Sequence, residues 1–201
     1  AKNVEPAERP KHKRKVAITL IAGLIIGIVA VALTLGMRPD IGTAITPVLL
    51  KAGFSAAAAA VLLPLAMRLM RPGRPLGWRI AAVLVFAGVS LLATAIALAG
   101  MPSEERMHAW MGGGFPWCLV LIPIFAAPTA AGLVWIMRAL APTRLTLSGA
   151  AIGALSGGIG AMAYAMYCPV DSVAFVTTWY VAAIAICAAL GAFVGAKLLR
   201  W

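Results

Sequence analysis

Six long apolar runs constrain this chain more than anything else in it. They are Val16–Gly36, Pro47–Leu69, Ile80–Gly100, Trp117–Leu140, Leu145–Met166 and Val173–Leu199. Each is about 20 or more residues long, enough for a helix to cross roughly 30 Å of hydrocarbon. Hydrophobic residues make up 63% of the chain, where about 45–50% is usual for a soluble domain. A soluble protein cannot hide that much apolar surface. The expected fold is all-α: an integral membrane bundle of six transmembrane helices. Residues 1–15 form a cytoplasmic N-terminal segment, and residues 16–201 form one transmembrane domain.

The first run follows a basic flank, as a signal peptide does. It is longer than the apolar region of about 7–15 residues in a signal peptide, and Met37-Arg38-Pro39-Asp40 replaces the small-residue cleavage pattern. It therefore reads as a permanent first helix. The chain begins with Ala rather than Met, so further native sequence is expected before it.

A net charge of +11 on 201 residues invites a nucleic-acid reading, but topology explains it better. Cytoplasmic loops of membrane proteins collect Lys and Arg. Lys2, Arg9, Lys11, Lys13, Arg14 and Lys15 precede the first run, and Arg68, Arg71, Arg74 and Arg79 follow the second. Arg138 and Arg144 follow the fourth, and Lys197 and Arg200 end the sixth. Of the 17 basic residues, that leaves only Arg38, Lys51 and Arg106 on the other side, together with Asp40, Glu104, Glu105 and Asp171. Both termini are expected in the cytoplasm, with no direct nucleic-acid partner.

The connections are short and rich in Pro and Gly, so consecutive helices should be antiparallel neighbours. The longest outer loop, Met101–Phe115, has room for a short interfacial turn. No internal repeat is evident, which argues against the inverted-repeat plan of many transporters. Gly23 and Gly27, then Gly149, Gly153 and Gly157, then Gly191 and Gly195, recur every four residues. Small residues at this spacing let helix backbones approach closely in lipid. They serve packing within the bundle, with homodimerisation as the alternative. Pro123 and Pro128 each remove a backbone hydrogen bond, so the fourth span should be kinked.

The missing residues are informative too. No Asp, Glu or His lies mid-span, although proton relays and ion-coupled transporters use such groups. Lys51, near an outer helix end, reads as an anchor that snorkels to the interface. No Walker A, HExxH, CxxC or GxSxG motif appears. An enzyme is therefore not expected. Cys187, mid-helix among Ile and Ala, reads as a packing residue. Cys118 and Cys168 fall at the aqueous edge of the outer face, where the compartment permits disulfides. They are candidates for a redox pair or a soft-metal site, with Asp171 and His108 as supporting ligands. A static disulfide or two unrelated thiols are the alternatives. No cofactor is required, a soft metal ion at Cys118 and Cys168 being the one candidate. The N-terminal segment is too polar to fold alone. It reads either as a basic flank attracted to anionic lipid or as a docking segment for a soluble partner. In the second case Arg9, Lys11, Lys13, Arg14 and Lys15 would steer the partner electrostatically.

The C-terminal third is the most specific part of the sequence. Tyr164-Ala165-Met166-Tyr167-Cys168-Pro169-Val170-Asp171-Ser172-Val173-Ala174-Phe175, then Thr178-Trp179-Tyr180, then Gly191 through Lys197-Leu198-Leu199-Arg200-Trp201 resembles the signature of the NrsF-like family. These are the "negative regulator of sigma F" proteins, six-helix anti-sigma factors of bacterial inner membranes. Leu35–Asp40 and Trp117-Cys118-Leu119 match more loosely. The resemblance implies an inner face that holds an extracytoplasmic-function sigma factor inactive. It also implies an outer face where two cysteines, here Cys118 and Cys168, sense oxidative or heavy-metal stress. Family members usually carry more sequence before the first helix, so part of the sigma-binding surface is expected upstream. Two rival readings remain. A small transporter or channel component would have only Ser, Thr and Tyr to line a path. A membrane thiol oxidoreductase would lack a second cysteine pair.

Overall fold

The computed structural model describes residues 9–70, 76–140 and 142–198. Among these every regular element is helical. They are α1 (Arg9–Thr34), α2 (Ile45–Leu69), α3 (Trp78–Ala99), α4 (Ser103–Met111), α5 (Trp117–Arg138), α6 (Leu145–Tyr164), α7 (Val173–Phe175), a π-helical turn (Val176–Tyr180) and α8 (Val181–Leu198). The last three run on without a break, and the continuous helix is the sixth of six helices long and apolar enough to span a membrane. The chain is a membrane protein.

Hydropathy set these elements to within a few residues, with two differences. Helix α1 begins at Arg9 rather than near Val16, so the basic segment continues the first span and crosses the expected boundary at residue 15. The outer loop holds a full helix, α4, whose Glu104 and Glu105 lie in its first turn, where acids complement the positive end of the helix dipole.

Helix α6 is the hub. Its spanning window is 72% buried, against 6% for α3, and it packs against α8, α2, α5 and α1. The reason is its composition, LTLSGAAIGALSGGIGAMAY. Small side chains on every face let four neighbours reach the backbone, which is how helices associate in lipid. A Cβ added to Gly149 would overlap the Gly191 carbonyl oxygen, and one added to Gly153 would overlap that of Cys187. One on Gly157 would meet the Cys187 side chain, and one on Gly195 would meet the Gly149 Cα at 2.7 Å. Gly23 gives way to the Thr129 side chain on α5, and Gly27 to Ala163 on α6. Gly160 sits outside the four-residue series, yet a Cβ there would come within 2.6 Å of the Ile122 carbonyl oxygen.

Two apolar clusters fill the bundle. One, around Leu133, Met137, Ile152 and Leu155, lies toward the Arg68 end. The other, around Tyr164, Phe175, Tyr180, Cys118 and Cys168, lies toward the Arg38 end. The second cluster positions the site.

Candidate functional site

The segment from Met166 to Asp171 joins α6 to α7 and carries Cys168. Its conformation is held from outside. The backbone N–H of Arg38 donates to the Met166 carbonyl at 3.2 Å. The Lys51 ammonium donates to the Cys168 carbonyl at 2.5 Å, the Val170 carbonyl at 3.2 Å and the Asp171 carboxylate at 2.9 Å. The Arg38 guanidinium grips Asp171 through two bonds, at 2.6 and 2.8 Å, and Asp40 through two more, at 2.6 and 2.9 Å. Paired N–H···O bonds of this kind fix geometry as well as charge.

This arrangement corrects two expectations. Lys51 is no snorkelling anchor: only 3% of it is exposed, and its three donors each have an acceptor. A buried cation is tolerated only when paired and hydrogen-bonded, and Asp171 with two carbonyls meets that condition. Asp171, expected as a supporting ligand, has both carboxylate oxygens engaged by Arg38 and Lys51. Its carboxyl is held down at about 2, chiefly by the Arg38 hydrogen bonds and next by Lys51, against partial desolvation. Arg38 is pushed further above its usual range by Asp171 and Asp40, and Asp40 is lowered by Arg38.

Behind this clamp lie the thiols. Cys118 lies in the first turn of α5 and Cys168 in the middle of the α6–α7 segment. Both are free, and neither has any exposed surface. They lie beneath the protein surface rather than at its aqueous edge. The two belong to one buried cluster with Tyr164 and Tyr180 and are close enough to act on each other electrostatically. The Tyr180 hydroxyl is fully buried within electrostatic reach of Cys168, yet makes no well-formed hydrogen bond. A buried hydroxyl without a partner is costly and marks this place as unusual. Cys187 is also buried, facing Gly157 on α6.

His108 is exposed on α4. Among the described residues no three Cys, His, Asp or Glu side chains come together as a metal site. The donors on offer to a soft ion are therefore the two sulfurs, with Tyr180 beside them. Two thiolates suit a soft, thiophilic ion.

Aromatic and hydroxyl contacts close the outer side of the cluster. Trp179 donates its indole N–H to the Trp110 carbonyl at 2.7 Å and packs against Phe115. The Thr94 hydroxyl meets those of Thr177 and Thr178 at 2.7 and 3.1 Å. These contacts fall on the π-helical turn, a local widening often found at functional sites. They tie α3 and α4 to the helix that carries Tyr180.

At the opposite end Lys13, Arg14 and Lys15 are exposed on α1. Lys13 shares a cleft of about 240 Å³ with Arg68, Arg79, Pro64 and Met67. The side chains of Arg9 and Lys11, and the whole of Arg71 and Arg74, lie outside the described residues.

Composition and hydropathy did not point to Arg38, Lys51, Tyr164 or Tyr180. One signal could have found the clamp. Arg38 and Lys51 are stray cations on the sparsely charged side, and Asp40 and Asp171 are there to neutralise them.

Comparison with known proteins assigns the chain to a family. No solved structure matches the chain. It is 32% identical over 197 residues to the "Probable anti-sigma-F factor NrsF" of Azospira oryzae, covering 96% of this chain and 92% of that protein. It is also 32% identical over 199 residues to the "Anti-sigma-F factor NrsF" of Caulobacter vibrioides, covering 96% and 91%. The model of the NrsF family, "Negative regulator of sigma F", matches residues 1–201. The whole chain, clamp and thiols included, belongs to the NrsF family of negative regulators of sigma F.

Proposed function

We propose that this protein is an anti-sigma factor of the bacterial inner membrane, a regulator rather than an enzyme. It holds an extracytoplasmic-function sigma factor at its basic end and releases it when an oxidant or a soft heavy-metal ion acts on Cys118 and Cys168. The observation that carries the reading is family membership across the whole length. The basic end supports it, since α1 presents Lys13, Arg14 and Lys15 beside a cleft with Arg68 and Arg79. A positive surface steers an acidic partner, and on this reading that basic end faces the cytoplasm. The thiol pair supports the sensing half: two free cysteines in one buried cluster can form a disulfide or share a soft ion, and either change favours one bundle conformation over another.

The test is co-purification. Solubilised full-length protein incubated with cytosol of its host should retain a sigma factor. Lys11→Glu with Arg14→Glu should weaken that retention and reduce its salt dependence. Retention unaffected by both changes would place docking at the Arg68–Arg79 cleft. Failure to retain any sigma factor would overturn the reading.

A further inference from the structure

We propose that Lys51, Arg38 and Asp171 are positioning residues that couple the Cys168 segment to α1 and α2, so that a change at the thiols is carried to the basic end through those two helices. The proposal rests on the thiol-sensing reading above and adds the route.

Helix α6 would be the obvious conductor, since Cys168 follows it directly. Its packing argues otherwise. Glycine faces lock α6 backbone-to-backbone against α8, where a single added Cβ would collide with carbonyl oxygens. Such a pair has no slack for a shift, because packed interfaces deform little. The Met166–Asp171 segment is irregular, and side chains from outside it set its shape. Among the described residues, the side-chain hydrogen bonds that reach it from Arg38 and Lys51 come from the residue-38 corner that follows α1 and the first turns of α2. Arg38 supplies a backbone bond to Met166 and a paired bond to Asp171. Lys51 joins the Cys168 carbonyl to the Asp171 carboxylate. The carbonyl it holds belongs to the sensing cysteine itself.

Both connected helices then run to the basic end. Arg68 lies 17 residues beyond Lys51 on α2, about 25 Å along a helix. Lys13 on α1 meets it across the cleft that Arg79 also lines. Helix α1 has no proline between Lys13 and Thr34 and carries a shift from the residue-38 corner along its length, while α2 holds Pro64 between Lys51 and Arg68.

The step at the thiols is a two-electron oxidation. The Cys118 and Cys168 S–H bonds break, one S–S bond forms, and two electrons and two protons pass to the oxidant. With diamide as the oxidant, its N=N bond takes up both pairs and becomes a hydrazine. The new bond draws Cys168 toward α5, and Lys51 follows the Cys168 carbonyl. The clamp is thus a strut that moves with the segment, rather than a latch that must break.

Full-length Lys51→Met, Asp171→Asn and Lys51→Arg variants separate the alternatives in cells treated with diamide. Three quantities are read together: protein in the membrane, Cys118–Cys168 disulfide by differential alkylation, and output of the sigma regulon. In Lys51→Met and Asp171→Asn the disulfide should form as in the unaltered protein, sigma should stay bound without stress, and diamide-induced output should fall about tenfold, within the usual range of coupling between sites. Lys51→Arg keeps the charge and the donors and should keep induction. If Lys51→Met does not reach the membrane, Asp171→Asn, nearly equal in size, gives the same reading.

Normal induction in Lys51→Met or Asp171→Asn would overturn the proposal. So would loss of the disulfide together with loss of output, because the clamp would then shape the thiols without transmitting from them. Output already high without diamide would also overturn it, by showing a latch. Induction of the unaltered protein without any disulfide would refute thiol oxidation itself, a distinct result under which the coupling route falls too.

Discussion

At the scale of single residues, the chemistry depends on charges and thiols placed where hydropathy predicts none. Asp171 gives a pH test. Its carboxyl is held at about 2, below the ordinary value of 3.8. A group lowered by folding adds stability that is complete above its unfolded value and is lost as the pH falls through the folded one. The difference in unfolding temperature between the unaltered protein and Asp171→Asn should therefore be constant above about pH 4 and shrink from there toward about pH 2. A difference that persists unchanged at pH 2 would show that the amide substitution acts through something other than the lost charge. The thiols give a second test. Cys168 has no exposed surface, so a reagent reaches it only through local opening. A membrane-impermeant maleimide added to spheroplasts should label Glu104→Cys, exposed on α4, much faster than Cys168. Equal rates would contradict the burial. Glu104→Cys labelled only after the membrane is opened would contradict the topology. Cys118 and Cys168 stood out in the sequence because Trp-Cys and Cys-Pro stand in a recognisable context. Their burial was not, because it comes from Tyr164, Tyr180 and Phe175 closing over them from two helices.

At the scale of elements, the four-residue glycine spacing was legible because a helix stacks such residues on one face. Which face meets which neighbour was not, and Gly160 escaped notice because its close contact is with α5. The structure separates glycines that are pressed from those that are free. Gly149→Ala should destabilise the bundle by about 1–3 kcal/mol, the usual cost of overpacking, since its Cβ would overlap a carbonyl on α8. Gly53→Ala on α2 meets open space. It should be neutral or stabilising by up to about 1 kcal/mol through helix propensity. Thermal unfolding of the solubilised variants checks both, and equal effects would contradict the packing. The π-helical turn is a different case. No local pattern marked it, because it is set by Thr94 reaching across from α3 and Trp110 from α4. Thr94→Val removes a shared hydroxyl from Thr177 and Thr178, which keep the Val173 carbonyl and the Trp110 indole N–H as partners, and should cost about 0.5–1.5 kcal/mol, the net worth of a typical hydrogen bond. A Val variant as stable as the parent would show that the turn does not depend on that contact.

At the scale of the whole molecule, the bundle has two chemically distinct ends. One carries exposed cations from α1 with Arg68 and Arg79. The other carries a neutralised clamp and two buried thiols. The six spans and the uneven spread of charge were readable from hydropathy and the positive-inside rule. The clamp was not, because it lies in contacts between residues more than 100 positions apart, such as Arg38 with Asp171. In the proposed function the thiol end controls sigma release at the basic end. The most direct measurement is output of the sigma regulon under oxidant in a strain whose only copy is Cys118→Ser with Cys168→Ser. Serine keeps the size but forms neither a disulfide nor a strong soft-metal bond. Normal membrane insertion, sigma bound at rest and output that stays low under stress are expected. Full induction in that strain would contradict thiol sensing.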